Sequence, residues 1–386
     1  MADVTNYIDR LVAELCPDGV EYRPIEELFT TRNGYTPSKS NSSYWENGTV
    51  PWFRMEDIRE NGGILSESLQ SVHESALKKG GMFPAGSIIV ATSATIGEHA
   101  LINVDFLCNQ RFTVLILKDE FKNLLSPKFI YYYSFILDRW CLSNTTQSSF
   151  ASVDMKRFKK FEFPVPPLEI QEAIVEILDK FTNLEAELEA ELEARTLQYE
   201  YYRDSLFEAL DCPRVPLDSF AKIKNGKTYK DFGAGNIPVY GSGGIMTYVD
   251  RFSYNKPTVL IPRKGSLGNL FYLEEPFWNV DTIFYTEIDE EQVIPKFLYY
   301  FLKTAHLEDL NTAGGVPSLT QKVLNKVLIP VPSLEEQQRI VDILDRFDTL
   351  TTSLSEGLPA ELAARRSQYE YYRDQLLTFP RKGENQ

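Results

Sequence analysis

Side chains that commonly bind metal are scarce in this 386-residue chain, which has four cysteines and three histidines. Cys16, Cys108, Cys141 and Cys212 form no CxxC pair, and His73, His99 and His306 lie far apart in sequence. No metal site is expected; the thiols read as structural and the imidazoles as surface groups. Long apolar runs are missing too. The greasiest stretch, Phe129–Leu137, is too short to span a bilayer, and the opening MADVTNYIDRL lacks the basic and apolar regions of a secretory signal. These absences point to a cytoplasmic protein without a membrane segment. GxxxxGK[ST], a glycine-rich cofactor loop that opens a helix after a first strand, and NPPY- or DPPY-like tetrapeptides are likewise absent, so no cofactor is expected. Net positive charge is the last absence, because the formal charge is −15.

Repetition is what the chain has in quantity. QYEYYRD occurs at 198–204 and again at 368–374, and FPVPPLEIQEAIVEILDKFTNL (163–184) matches IPVPSLEEQQRIVDILDRFDTL (329–350). Weaker matches join SPKFIYYYSFIL (126–137) to IPKFLYYFLKTA (294–305), RNGYT (32–36) to KNGKT (224–228), and ATIG (94–97) to GSLG (265–268). The chain is therefore two copies of one unit, each a globular region followed by a long helical segment. YIDRLVAELCP (7–17) resembles YRDSLFEALDCP (202–213), so the chain enters its first globular region from a helix end, as it later enters its second.

Spacing makes the segments after each globular region helical. Ile170, Ile174, Ile177, Phe181, Leu184 and Leu188 step by four and three, a heptad seam that points at a partner helix, and Leu192 extends the run. Ile340, Ile343, Phe347, Leu350 and Leu354 repeat the seam, which Tyr199, Tyr202 and Leu206 rejoin in the first copy and Tyr369, Tyr372 and Leu376 in the second. Residues 184–195 read LEAE LEAE LEAR, while the second copy carries four more residues, a stutter that adds about one turn. Gly357 and Pro359 should interrupt the second helix, with Pro359 suited to the first turn of a new one. Two such segments in one chain most simply pack on each other, giving two heads on a pseudo-two-fold helical spacer.

Two similar heads on a spacer suit a bipartite DNA site, against which the acidic total argues at first sight. The charge is unevenly placed, however. Residues 168–210 hold 12 acids and 3 bases, and 333–378 hold 9 and 5, whereas 16–167 carry 17 acids with 16 bases and 211–332 carry 13 of each. Near-neutral heads can present a basic face. The candidate clusters are Arg54, Arg59, Lys78 and Lys79 in the first head, and Lys222, Lys224, Lys227, Lys230, Arg263 and Lys264 in the second. VATSATIGEHA (90–100) and IPRKGSLGNLF (261–271) each follow a strand-like run, and their small residues let backbone amides approach a phosphate or a base edge. Arg263 can make the bidentate contact to guanine that a major groove offers. The resulting candidates for DNA contact are Arg54, Lys78, Lys79, Thr92, Ser93, Thr95 and Arg111 in the first head, and Lys224, Lys227, Arg263, Lys264 and Ser266 in the second. A plain strand turn remains the alternative for both loops.

The doubled PVPPLEIQ/PVPSLEEQ and QYEYYRD segments, the LEAE tetrapeptides and PRKGSLG resemble the specificity subunits of Type I restriction-modification enzymes along essentially the whole chain. The resemblance implies an α/β fold: two similar target recognition domains separated by a long antiparallel pair of helices. It places an N-terminal helix at 1–15, domains at 16–167 and 211–332, and helical spacers at 168–210 and 333–378. It also implies a non-catalytic chain that reads bipartite double-stranded DNA, with ATP-dependent restriction subunits supplied separately. Two modification subunits are expected to dock near the helices and heads, and Ile174, Ile177, Phe181, Leu184, Leu188, Leu192, Tyr199, Tyr202, Ile340, Ile343, Phe347, Tyr369 and Tyr372 are the spacer and partner-docking candidates on the helices. The competing classes are a methyltransferase or nuclease with its own recognition module, disfavoured by the missing motifs, and a two-headed scaffold for protein partners.

Overall fold

The computed structural model describes residues 2–146, 151–311, 317–352 and 357–383. It divides into two compact units, Met1–Ala186 with Ala364–Gln386, and Glu187–Ala363. In the first unit a sheet orders Phe29–Asn33, Phe112–Leu117, Ser87–Ala91, His99–Ile102 and the short Ile64–Leu65. Ser87–Ala91 is buried at every position, and its β-branched SIIVA sequence suits a central strand covered on both faces. A smaller sheet pairs Val50–Phe53 antiparallel with Ser71–Val72 and parallel with Leu107–Cys108.

The second unit repeats this plan. Ala221–Asn225, Ile283–Ile288, Thr258–Pro262 and Phe271–Leu273 follow the same order, and Ile237–Gly241 again pairs antiparallel with Gly244–Val249 and parallel with Trp278–Asn279. Two-stranded pairs, Tyr22–Pro24 with Glu162–Pro164 and Arg214–Pro216 with Leu328–Pro330, mark where the chain enters and leaves each globular region. The internal repeat seen in sequence is thus a repeat of topology; among the described residues the first unit adds the short strand Ile64–Leu65 and the pair Thr145–Thr146 with Ser152–Val153.

The most closely repeated residues join the helices to the heads. Gln171 is fully buried at the start of the 41-residue helix Leu168–Glu208; it accepts from Ser126 N–H at 2.9 Å and donates to the carbonyls of Leu124 and Pro166, both at 2.7 Å. Gln337, in helix Leu334–Thr352, makes the corresponding bonds to Ile294 N–H and the carbonyls of Gln292 and Pro332. Asp179 accepts from Lys128 and Tyr132 in the first unit, as Asp345 does from Lys296 and Tyr300 in the second. Burial, aided by those carboxylates, pushes both phenols well above the ordinary tyrosine range. The repeated LEIQ and LEEQ motifs are therefore docking devices, since each glutamine satisfies backbone groups that burial would otherwise orphan.

This docking alters the expected role of the seam. Ile170 and Ile174 enter the core of the first head, and Ile340 that of the second, so the opening turns face a globular region before the helices meet each other. Further along, within the first unit, Phe181 stacks on Tyr372 and lies near Tyr369, while Arg366 bonds Glu185, an antiparallel order. Within the second unit Phe347 lies against Tyr199 and Tyr202. Ile177 and Ile343 are half-buried, as are Leu188 and Leu192; Leu184 is exposed. The second helix is described as Leu334–Thr352; Gly357 is not helical, and a helix runs Leu358–Leu376 with Pro359 in its first turn, as expected. The side chain of Leu350, and Leu354 altogether, lie outside the described residues.

One histidine departs from the surface reading. His99 is buried, with Nδ1 2.5 Å from an oxygen of Asp138 and Nε2 2.9 Å from the carbonyl of Tyr131, tying strand His99–Ile102 to helix Pro127–Ser143. Its partner lies 39 residues away, a separation that sequence spacing alone did not connect. The four cysteines are free, with Cys108 and Cys141 buried, and burial pushes the Cys141 thiol up to about 12. Among the described residues no helix is long and apolar enough to cross a membrane, and no His/Cys/Asp/Glu group could hold a metal.

Candidate nucleic-acid interface

At corresponding places in the two units the chain crosses a strand end through an Asn-Gly pair. A Cβ on Gly34 would lie 2.1 Å from the carbonyl oxygen of Asn109, and one on Gly226 would lie 2.0 Å from that of Val280. Glycine is required at both for this backbone approach. The amides that follow, Tyr35 N–H and Lys227 N–H, donate to Cys108 and Asn279 carbonyls. Tyr35 O accepts the indole N–H of Trp52 at 3.0 Å, and Lys227 O accepts that of Trp278 at 2.9 Å. Trp52 comes from the strand equivalent to Ile237–Gly241, whereas Trp278 comes from the strand equivalent to Leu107–Cys108. The same bond is thus made from opposite members of a strand pair.

The loops after Ser87–Ala91 and Thr258–Pro262 are likewise matched. Thr92 N–H donates to Arg111 O at 3.0 Å, and Arg263 N–H to Thr282 O at 2.9 Å. Thr92 O and Arg263 O in turn accept from Val153 and Leu319 N–H. β-Bridges join Ser93 to Ser152 and Lys264 to Ser318. Ala94 has φ +65° where its counterpart Gly265 has φ +83°, so the left-handed turn survives in the first unit without glycine. Ser152 and Ser318, which pin both loops, were not recognised in the sequence, although ASVD (151–154) and PSLT (317–320) share a small–Ser–aliphatic–cap pattern. Asp154 and Thr320 cap the short helices that follow.

The structure gathers some of the sequence candidates and separates others. Arg54 and Arg111 line one cleft of about 600 Å³, together with Lys39, Trp45, Trp52 and Gln110. Lys39, Trp45 and Gln110 were not singled out in sequence, because segments 36–46 and 109–111 become neighbours only on folding. Lys78 is placed over the ring of Tyr35, 4.1 Å from its centroid, while Lys79 is exposed nearby in sequence. Thr92 is buried and its hydroxyl lies 2.9 Å from that of Thr113; the Thr95 hydroxyl is buried without a hydrogen-bond partner. In the second unit, the Arg263 guanidinium lies 5.8 Å from the Phe284 ring, and Lys264 and Ser266 are exposed. Lys224 pairs with Glu287 at 3.2 Å, and Lys227 is exposed.

Comparison with known proteins gives this tandem arrangement its class. The family model described as "Type I restriction modification DNA specificity domain" matches residues 17–194 and again 211–364. The chain therefore belongs to the type I restriction-modification DNA specificity family, whose members recognise DNA targets while catalysis resides in other subunits. It is 42% identical over 379 residues to the Escherichia coli "Type I restriction enzyme EcoprrI specificity subunit", covering 91% of this chain and 92% of that one. It is 36% identical to the E. coli EcoR124I/EcoR124II specificity subunit, over 68% of this chain and 73% of the relative. The crystal structure of an S subunit from M. genitalium shares the fold, at TM-score 0.53 and 20% identity, over 93% of this chain and 96% of that one.

Proposed function

We propose that the chain reads a bipartite double-stranded DNA target, one half-site for each target recognition domain, 16–167 and 211–332, across a non-specific gap of fixed length. The observation that carries this reading is the repeat itself: two units of one topology, each with a DNA specificity match and a glycine-dependent crossing at the end of its edge strand. The candidates above other than the buried Thr92 and the buried Thr95 hydroxyl form the proposed DNA surface, with the transposed residues presenting their groups from different strands in the two units. The helical spacers 168–210 and 333–378 set the gap.

Partners complete the activity. Two modification (methyltransferase) subunits dock near the helices and heads, and ATP-dependent restriction subunits join them. Exposed side chains on the helices support such docking: Tyr201 is 70% exposed, Leu197 60% and Tyr371 59%, a high apolar cost for free helices. Co-expression with a cognate modification subunit, followed by mapping of methylated adenines in the host genome, tests the reading. A split motif with a constant gap is expected; a contiguous motif, or methylation without sequence preference, overturns it.

A further inference from the structure

We infer that Arg111 and Arg263 are counterparts that each read one guanine-containing base pair, presented from opposite strands of the same cross-strand position. The inference rests on the DNA-reading function above and assigns the specificity of that surface to two atom groups. Ala91 lies opposite Phe112, and Pro262 opposite Ile283, in antiparallel register. The next pairs outward are Thr92 with Arg111 and Arg263 with Thr282, each joined by the main-chain bond already described. Each pair therefore holds one threonine and one arginine, with the order reversed between the units.

The threonines are occupied inside the fold. Thr92 Oγ1 lies 2.9 Å from Thr113 Oγ1, and Thr282 Oγ1 accepts from Ser242 N–H at 3.2 Å. The arginines have donors to spare. Arg111 is exposed, and its guanidinium makes no hydrogen bond or ion pair among the described residues. Arg263 has a contact to Asp281 O at 3.5 Å, the outer limit of a hydrogen bond. A guanidinium with free donors in a rigid fork matches O6 and N7 of guanine.

Acids as well as bases stand beside both arginines. Glu46 and Glu56 line the Arg111 cleft together with Lys39 and Arg54, and in the second unit Asp281 precedes Thr282 while Lys264 follows Arg263. Carboxylates repel a phosphate, whereas they can accept from the amino group of cytosine, guanine's pairing partner.

The test uses the complex assembled with its modification subunit and a library of sites randomised at every position, read by methylation. Arg111→Ala is expected to lower the preference for guanine at one position of one half-site by roughly ten- to a hundredfold, leaving the other half-site intact. Arg263→Ala is expected to do the same in the other half-site. Arg111→Lys and Arg263→Lys keep the charge but lose the fork, so they relax the same positions while overall methylation persists, which also shows the complex to be intact. Uniform weakening across all sequences makes these residues phosphate contacts and overturns the inference. Unchanged preferences, or both arginines affecting the same half-site, overturn it as well. A wild-type complex without sequence preference would instead refute the DNA-reading function, and it does so without any substitution.

Discussion

Gln171 and Gln337 make the same hydrogen bonds in their two units, whereas Trp52 and Trp278 reach corresponding carbonyls from different strands. The helix-to-head joint has been kept residue for residue, and the strand ends have been transposed. Cross-strand neighbours lie only ~5 Å apart, so exchanging a large and a small residue across a pair preserves the packed volume while redirecting the group that faces out. A part that must meet the same partner twice has little freedom. A part that meets two different DNA sequences gains from such exchange, and Thr92/Arg111 against Arg263/Thr282 is the clearest instance.

The strongest way to break this equivalence is at the two glycines. Gly34→Ala and Gly226→Ala each drive a methyl group into a backbone carbonyl, so each is expected to cost at least ~3 kcal/mol in its own unit. Denaturant unfolding of the assembled complex, with hydrogen exchange to locate the loss, measures it; a large effect in one unit only would mean the crossings are not equivalent. Gln171→Ala and Gln337→Ala come next, at about 2–4 kcal/mol each for the buried groups left unsatisfied. Equal losses by hydrogen exchange at the two helix starts are expected, and a silent Gln337→Ala would end the symmetry of the joint.

Two further changes sharpen the contrast between spacer and heads. Deleting one tetrapeptide, Leu188–Glu191, shortens a helix by about 6 Å and turns it by about 40°. Methylation mapping should then show both half-sites kept and the gap shortened by about one base pair, taking ~3.4 Å per step. An unchanged gap with full activity would show that the tetrapeptides do not set it. The smallest effect concerns the loop turn: Ala94→Gly should stabilise the first unit by about 1 kcal/mol, and Gly265→Ala should destabilise the second by a similar amount. A destabilising Ala94→Gly would show that the left-handed turn carries no strain.

Much of this was legible in the sequence because it is local or periodic. The repeat, the long helix, the break before Pro359 and the glutamine motifs are strings or spacings within a few turns of chain. What remained hidden depends on residues that meet only across a sheet. Thr92 and Arg111 are separated by strands His99–Ile102 and Leu107–Cys108, His99 and Asp138 by Leu107–Cys108, Phe112–Leu117 and most of a helix, and Lys39 and Gln110 of the cleft by more still. Alignment of the two copies even misleads at those points, since it pairs Thr92 with Arg263 while the chemical counterpart of Arg263 is Arg111.

The central claim, two interchangeable units that each read a half-site, is tested most directly by replacing residues 211–332 with a second copy of 16–167 and mapping methylation by the assembled complex. The account predicts a target made of two copies of the first half-site, still separated by a fixed gap. Retention of the original two-part target would contradict it.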